Sequence, residues 1–189
     1  MKYISVAEAG GVLQRGGVGL VPTETVVGLV AGEAGLSRLA GIKDRDPDKP
    51  IALLCGSANG AFSLAREVPP LAFSLAERFW PGPLTLVLDI RDGGTVGVRV
   101  PAHPAVQAVL ASYGKPLYAT SANRSGEAAP RALADVDQEI SDDVDFAVRG
   151  EPGSGEASAV VDLSDAQVRL LRPTVFLDER ELSRLADLA

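Results

Sequence analysis

The stretch LTLVLDIRDGGTVGVRVP, at residues 84–101, indicates the fold more clearly than any other part of the chain. Two apolar runs of strand length, residues 84–90 and 96–100, flank the turn signal Asp92-Gly93-Gly94, which is typical of a β-hairpin. Pro104 follows shortly afterwards, and proline is favoured at the first position of a helix. A hairpin followed at once by a helix predicts a sheet that is covered by helices.

The same alternation of signals continues outward from the hairpin in both directions. Ser5 and Glu8 form a capping box for a first helix that ends at Gly16-Gly17. A further helix is predicted over residues 131–140, after a polar loop. The other predicted strands are residues 18–21, 51–54, 117–120, 146–148, 159–163 and 168–171, and the other predicted helices are 70–80, 104–112 and 178–188. The pattern predicts an α/β fold, with a mixed sheet covered by helices.

Length and composition limit the class of protein. The chain has 189 residues, with 18 Lys and Arg against 25 Asp and Glu, and a net charge of -7. One domain over residues 1–189 is expected at this length. A single Cys and a single His exclude a disulfide framework and metal sites built from several thiolates or imidazoles. The acidic balance disfavours a protein whose whole surface binds nucleic acid.

The most apolar stretch, residues 16–36, is interrupted by Pro22, Glu24 and Glu33. A bilayer span needs about 20 mainly apolar residues, so we interpret this stretch as a buried strand, then a loop, then further core. Glu8 comes too early for a signal peptide. A cytoplasmic protein without membrane contact is therefore expected.

Two polar segments follow predicted strands. Pro22-Thr23-Glu24-Thr25 comes directly after the first strand, and hydroxyl groups at the carboxyl end of a strand face the crevice in which α/β sheets bind ligands. The loop at residues 120–126 could present several hydrogen-bond donors to a phosphate or a nucleotide. Each segment taken alone is also compatible with an ordinary turn.

Two cationic segments are further candidates for ligand binding. Lys43 and Arg45 are two residues apart, so both side chains point to one face of an extended backbone, where they suit a phosphate or a carboxylate. A solvated loop whose aspartates neutralise both is the alternative. Arg99 emerges from an apolar strand on the face that also carries Thr95 and Gly97. Because a buried charge needs a partner, Arg99 should pair with a structural carboxylate or with the carboxylate of a ligand.

Together these segments resemble the threonylcarbamoyl-AMP synthase family, the YrdC-like proteins. The resemblance covers nearly the whole chain, in the order of the family. The matching residues are Pro22-Thr23-Glu24-Thr25-Val26, Gly28-Leu29, Lys43-x-Arg45 with Lys49-Pro50, Trp80-Pro81-Gly82-Pro83-Leu84-Thr85, Val98-Arg99-Val100-Pro101-Ala102-His103-Pro104, Ser121-Ala122-Asn123-x-Ser125-Gly126, Ser158 with Val160-Val161-Asp162-Leu163, and Leu171-Arg172-Pro173. The resemblance implies a short, single-domain member with a twisted mixed sheet and helices packed around a concave cavity.

The resemblance also implies an activity and the compounds involved. The implied enzyme is a nucleotidyltransferase that converts L-threonine, bicarbonate or CO2, and ATP into threonylcarbamoyl-adenylate and pyrophosphate, with Mg2+ on the phosphates. The adenylate is passed to a separate transferase complex that modifies tRNA, and a weak direct contact with tRNA is left open. Two alternatives stay open: a non-catalytic RNA-binding module of the same fold, and a related enzyme that forms a carbamoyl-adenylate.

The resemblance further implies roles for individual residues. The implied catalytic residues are Lys43, Arg45, Ser121 and Asn123. The implied threonine-binding residues are Thr23, Arg99 and Ser158, and Arg99 is expected to pair with the substrate carboxylate. The implied nucleotide-binding residues are Lys43, Arg45, Lys49, Thr95, Ser121, Asn123 and Arg172. No side chain is assigned to a metal ion.

Overall fold

The computed structural model describes residues 1–43, 51–91, 93–124 and 126–187 of the chain. Its helices are α1 (Val6–Gln14), α2 (Leu36–Lys43), α3 (Ala58–Phe62), α4 (Pro70–Phe79), α5 (Pro104–Tyr113), α6 (Gln138–Asp143) and α7 (Glu179–Ala186). Its strands are β1 (Val18–Pro22), β2 (Val27–Ala31), β3 (Ala52–Leu54), β4 (Leu84–Asp89), β5 (Thr95–Arg99), β6 (Leu117–Ser121), β7 (Phe146–Ala147), β8 (Ala159–Asp162) and β9 (Arg169–Arg172). No helix in the described ranges is both long and apolar enough to cross a membrane.

The strands form one mixed sheet in the order β7-β1-β2-β6-β3-β5-β4-β8-β9. β4 and β5 form the predicted antiparallel hairpin, with Asp89 opposite Thr95. The neighbours β7 and β1, β3 and β5, and β4 and β8 are parallel, so β5 and β4 each have one parallel and one antiparallel partner. The prediction of an α/β fold with a mixed sheet is confirmed.

Helices cover both faces of the sheet. In β2, Leu29 belongs to a core cluster that also contains residues of α2 and α6, whereas the next residue, Val30, belongs to a cluster with α1 and α5. Successive side chains of a strand point to opposite faces, so these two clusters lie on opposite sides of the sheet. A third cluster packs α4 and α7 against β4, β5 and β8.

Local signals in the sequence set several helix ends as predicted. The Ser5 hydroxyl accepts from the Glu8 backbone N–H at 3.3 Å, and the Glu8 carboxylate accepts from the Ser5 N–H at 2.9 Å, which completes the capping box. α5 begins at Pro104 and ends before Gly114, which has a φ of 78°. That left-handed conformation favours glycine because it has no Cβ.

One predicted helix is wrong, and one strand was not predicted. The predicted helix at residues 131–140 is divided into a 3-10 turn, Leu133–Asp135, and α6, because the Asp137 side chain accepts from the Glu139 N–H and starts a new helix there. Within residues 16–36 the expected buried strand, loop and further core are found as β1, residues 23–26 and β2, but the further core was not predicted to be a strand. Both faces of β2 are buried, so its sequence lacks the polar and apolar alternation that marks a half-exposed strand.

Thr174→Val is expected to raise the free energy of unfolding by about 1 kcal/mol, because burying a hydroxyl without a partner costs roughly that much or more. The Thr174 Oγ1 is buried and has no hydrogen-bond partner among the described residues. Urea denaturation at equilibrium measures the effect. Thr174→Ser keeps the hydroxyl and serves as the control, which should show no gain. A valine variant less stable than the wild type would contradict this prediction.

Candidate active site

A cavity of about 350 Å3 lies against the middle of the sheet. Its volume falls within the usual range for small-molecule sites, roughly 300–1,000 Å3. The polar side chains that line it come from distant parts of the chain: Thr23, Thr25, Thr85, Arg99, Thr120, Ser121, Ser158 and Arg172.

Small residues on neighbouring strands leave the space for this cavity. Ala52 of β3 pairs with Ala119 of β6, and both line the cavity. Gly97 of β5 also lines it, and a Cβ there would lie 3.2 Å from the Thr85 methyl carbon and 3.6 Å from the Ala52 Cβ. Larger side chains at these positions would project into the space, so the concave surface follows from the alignment of small residues across strands.

The turn after β1 is held by its own hydroxyl groups. The Thr23 hydroxyl donates to the Val26 carbonyl at 2.7 Å and lies 2.8 Å from the Thr25 hydroxyl. The backbone N–H groups of Thr25 and Val26 both donate to the Thr23 Oγ1 at 3.2 Å. Thr23 is 4% exposed and Thr25 2%, so this arrangement is buried beneath the cavity surface.

The segment 153–155 packs against the outside of this turn. The N–H of Gly155 donates to the Thr25 carbonyl at 2.8 Å, and the N–H of Ser154 donates to the Glu24 carbonyl at 2.9 Å. A Cβ on Gly153 would lie 2.3 Å from the Thr25 carbonyl oxygen, so only glycine permits this approach.

Arg99 is paired with a structural carboxylate. Its Nη2 lies 2.6 Å from Glu24 Oε1 and donates to the Thr25 hydroxyl at 3.0 Å, and its Nε donates to the Gly82 carbonyl at 3.1 Å. Burial alone would raise the pKa of Glu24, but the charge of Arg99, its hydrogen bond and smaller contributions from the backbone at Glu24 and Ala102 together hold that pKa below its ordinary value. The carboxylate is therefore ionised at neutral pH.

A second polar cluster joins β4, β8 and β9 at the cavity. The hydroxyls of Thr85 and Ser158 lie 2.9 Å apart. Arg172 donates from Nε to the Ser158 carbonyl at 2.6 Å and from Nη2 to the Ser158 hydroxyl at 3.3 Å. Partial burial of its guanidinium and the nearby positive charge of Arg99 lower the pKa of Arg172. Two guanidinium groups thus face the same small space, which favours an anionic ligand.

The carboxyl end of α2 brings Lys43 to the loop after β6. The Lys43 ammonium donates to the Ser121 carbonyl at 2.7 Å and to Asn123 Oδ1 at 2.9 Å, and it also contacts the Ser121 hydroxyl and the Asn123 carbonyl. Asn123 in turn donates to the carbonyls of Arg124 and Glu127. Lys43 is only 5% exposed, so the cation is an integral part of the loop's structure.

Not all of the predicted site residues meet at this place. Lys43, Ser121 and Asn123 are in contact, and Thr23, Arg99, Ser158 and Arg172 meet at the cavity. Thr95 is exposed at the start of β5 and does not line the cavity. Arg45 and Lys49 lie outside the described residues.

Sequence reasoning assigned no role to Glu24, Thr25 and Thr85, although each lies within a quoted motif. The sequence did indicate that a carboxylate could pair with Arg99, because a buried arginine needs a partner. Which carboxylate would meet Arg99 depended on the order of the strands. The described residues contain no group of three or more His, Cys, Asp or Glu side chains arranged to hold a metal ion.

Cys55 and His103 lie apart from this chemistry. Burial raises the pKa of the Cys55 thiol to about 12, so it stays protonated and is a poor nucleophile. The His103 Nδ1 accepts from the Ala105 N–H at the start of α5, and its Nε2 lies 3.1 Å from the Glu151 carbonyl oxygen. Because Nδ1 accepts a hydrogen bond, the ring proton is on Nε2, which donates to the Glu151 carbonyl.

The fold and the cavity define a class of α/β domain in which a mixed sheet carries a cavity lined by hydroxyl groups and two arginines. The Sua5/YciO/YrdC family model, described as "Telomere recombination", matches residues 11–174. The chain belongs to this family.

Relatives and solved structures agree with that assignment. The chain is 36% identical over 178 residues to the threonylcarbamoyl-AMP synthase of Pyrococcus abyssi, covering 87% of this chain and 52% of the relative. It is 31% identical over 176 residues to that of Chromohalobacter salexigens, covering 86% of this chain and 94% of the relative. The structure of P. abyssi Sua5 complexed with L-threonine superposes with a TM-score of 0.87 and 33% identity, covering 95% of this chain and 56% of that chain. The chain thus spans about half of the P. abyssi protein.

Proposed function

We propose that this protein is a threonylcarbamoyl-AMP synthase, a nucleotidyltransferase that serves tRNA modification. The observation that carries the proposal is the cavity of about 350 Å3, in which Arg99, Arg172 and several hydroxyl groups converge. Relatives at 31–36% identity bear that name, and a P. abyssi relative is described as complexed with L-threonine. L-Threonine, bicarbonate or CO2, and ATP are the proposed substrates.

The proposed reaction needs positioning and charge neutralisation more than a covalent nucleophile. The amine of threonine adds to CO2 and loses a proton, which gives a carbamate. A carbamate oxygen then attacks the α-phosphorus of ATP, forming a new P–O bond while the bond to pyrophosphate breaks. The site contributes cations and hydrogen-bond donors that stabilise the carboxylate, the carbamate and the phosphates.

The proposed roles follow the two polar clusters. Arg99, Thr23 and Ser158 would surround threonine, and Arg172 would face the nucleotide. Lys43, with Ser121 and Asn123, would hold the nucleotide and the reacting carbamate, and Arg45 and Lys49 would complete the triphosphate site. For Thr95 the nucleotide role has no support from the cavity, because this residue is not in its lining.

Magnesium is proposed as a companion of ATP rather than as a resident metal. The charged side chains in the described lining of the cavity are arginines, with no carboxylate among them. Those residues do not fit Mg2+, which prefers oxygen ligands from carboxylates, phosphates and water. The ion would therefore be held by the phosphate oxygens of ATP.

The wider setting of the reaction is proposed on the same basis. A cytoplasmic enzyme formed by a single domain over residues 1–189 would pass its labile adenylate to a separate transferase complex. The net charge of -7 fits an enzyme that handles the small-molecule step, since extended contact with RNA needs a basic surface. A weak contact with tRNA is compatible with this proposal.

Incubation with ATP, bicarbonate and single amino acids tests the proposed function through release of pyrophosphate. We expect release that depends on L-threonine and falls at least about tenfold when alanine or valine replaces it, because a polar site loses that much when a substrate hydroxyl is missing. Release without any amino acid, supported by carbamoyl phosphate, would identify a carbamoyl-adenylate enzyme instead. Salt-sensitive RNA binding without release would indicate an RNA-binding module.

A further inference from the structure

A chain of hydrogen bonds runs from the Glu24 carboxylate through Arg99 to the turn beneath the cavity. The Arg99 Nη2 lies 2.6 Å from Glu24 Oε1 and 3.0 Å from the Thr25 hydroxyl. The Thr25 hydroxyl lies 2.8 Å from the Thr23 hydroxyl, which lies 2.7 Å from the Val26 carbonyl. Four contacts thus connect an ionised carboxylate to a backbone carbonyl across the wall of the site.

The chemistry of the groups sets the direction of this chain. A guanidinium group only donates, so the Thr25 oxygen accepts from Arg99 and its own proton is free for Thr23. A carbonyl only accepts, so the Thr23 proton is given to Val26. The protons of both hydroxyls are therefore used within the turn, although both residues line the cavity.

The hydrogen bonds of Arg99 show which of its N–H groups remains available to a ligand. Arg99 uses Nε for the Gly82 carbonyl and Nη2 for Glu24 and Thr25, whereas its Nη1 makes no hydrogen bond to a described residue. Arg99 lines the cavity. Arg99 Nη1 is thus available to an anionic ligand at this wall. The hydroxyl groups of Thr23 and Thr25 are not, because their protons are already donated.

Stability alone does not account for Glu24. Its second carboxylate oxygen, Oε2, is buried and has no hydrogen-bond partner among the described residues. Such an oxygen costs free energy, which favourable contributions from the backbone at Glu24 and Ala102 offset in part, and its burial calls for an explanation. Fixing the orientation of Arg99 supplies one.

We infer that Glu24 and Thr25 are positioning residues that hold the Arg99 guanidinium with Nη1 directed to the carboxylate of the amino-acid substrate. This inference rests on the proposed function. It changes the expected role of Thr23, whose side chain shapes the wall with its methyl group while its hydroxyl stabilises the turn. Recognition of the substrate hydroxyl then falls to groups other than Thr23 and Thr25.

Kinetics of pyrophosphate release test the inference through two variants at one position. Thr25→Val keeps the shape but removes the acceptor for Arg99, so we expect the KM for threonine to rise about tenfold, as for one lost charge-assisted hydrogen bond. Thr25→Ser restores the hydroxyl and should stay within about twofold of the wild type. In both variants the KM for ATP should change by less than about twofold. Thr174→Val is the matched control for loss of a threonine hydroxyl elsewhere, and it should leave both constants unchanged.

A second measurement does not depend on activity. A guanidinium held by an ion pair rotates slowly, so the Arg99 side chain should give separate 15N signals for Nη1 and Nη2, assigned by comparison with Arg99→Lys. Glu24→Gln should merge them while the protein stays folded. Merged signals in the wild type would overturn the inference even if the enzyme is active.

The two measurements separate failure of the inference from failure of the proposed function. Wild-type protein without threonine-dependent release would refute the function, and the Arg99 signals would still decide the orientation. Active wild type with an unchanged KM in Thr25→Val would refute the positioning role. If Thr25→Val fails to fold, Glu24→Gln takes its place in the kinetics, with the same expected rise in the KM for threonine.

Discussion

Lys43→Met is expected to lower pyrophosphate release about a hundredfold and to loosen the loop that carries Ser121 and Asn123. The Lys43 ammonium contacts two carbonyl oxygens and two side-chain oxygens of that loop. Methionine keeps the length of the side chain and removes the charge. The loss of several charge-assisted hydrogen bonds, each worth roughly 1.5–3 kcal/mol, accounts for the size of the effect.

Lys43→Arg distinguishes an anchor from a simple phosphate ligand. An ammonium is a compact point charge that suits a cage of oxygens, whereas a guanidinium is a planar fork. If Lys43 acts mainly through its charge on phosphate, the arginine variant should retain a large part of the activity. If Lys43 anchors the loop, Lys43→Arg should lower pyrophosphate release about as much as Lys43→Met.

Hydrogen exchange at residues 121–124 measures the loop directly, and pyrophosphate release measures the catalytic effect. Lys115→Met is the control, because Lys115 is exposed and lies away from the cavity. Near-normal release and unchanged exchange in Lys43→Met would contradict the prediction.

Arg99→Met is expected to lower the free energy of unfolding by about 3 kcal/mol, because it removes the ion-pair partner of the largely buried Glu24 carboxylate. The side chains of the pair are 9% and 20% exposed. Adding Glu24→Gln should recover part of the loss, since the double variant removes both charges. Chemical denaturation of the single and double variants measures both effects.

Arg38→Met provides the matched control. Arg38 pairs with Asp145 at 2.6 Å, but those side chains are 49% and 37% exposed. Exposed ion pairs contribute about 0–1 kcal/mol, so the control should lose no more than that. Equal losses in Arg99→Met and Arg38→Met would show that burial of the Glu24 pair is unimportant.

The Glu24 pair also gives stability a defined dependence on pH. The folded pKa of Glu24 lies below its ordinary value of 4.5, so the native state binds this proton less readily than the unfolded state. The contribution is present above about pH 4.5 and is lost as the pH falls through the lowered folded pKa. In Arg99→Met burial still raises this pKa while the charge and hydrogen bond of Arg99 no longer lower it, so the folded pKa should rise and the pH-dependent contribution of Glu24 should shrink.

Local interactions made much of the fold predictable. The hairpin of β4 and β5 and the capping box of Ser5 and Glu8 depend on residues close in sequence, and both are confirmed. The helix predicted over residues 131–140 failed because Asp137 caps a separate helix, which is also a local effect. β2 was expected only as further core and was not recognised as a strand, because its environment is supplied by β1 and β6, the strands on either side in the sheet.

The sequence alone determined the residue types of the candidate site and the requirement that Arg99 find a partner. Only the tertiary structure decided that this partner is Glu24, 75 residues earlier in the chain. It likewise placed Lys43 on a loop 78 to 80 residues away, and it aligned Ala52, Ala119 and Gly97 to leave the cavity. The physical reason is the separation along the chain of the residues that interact. Caps and turns depend on residues close in sequence, whereas the order of the strands decides which distant side chains meet.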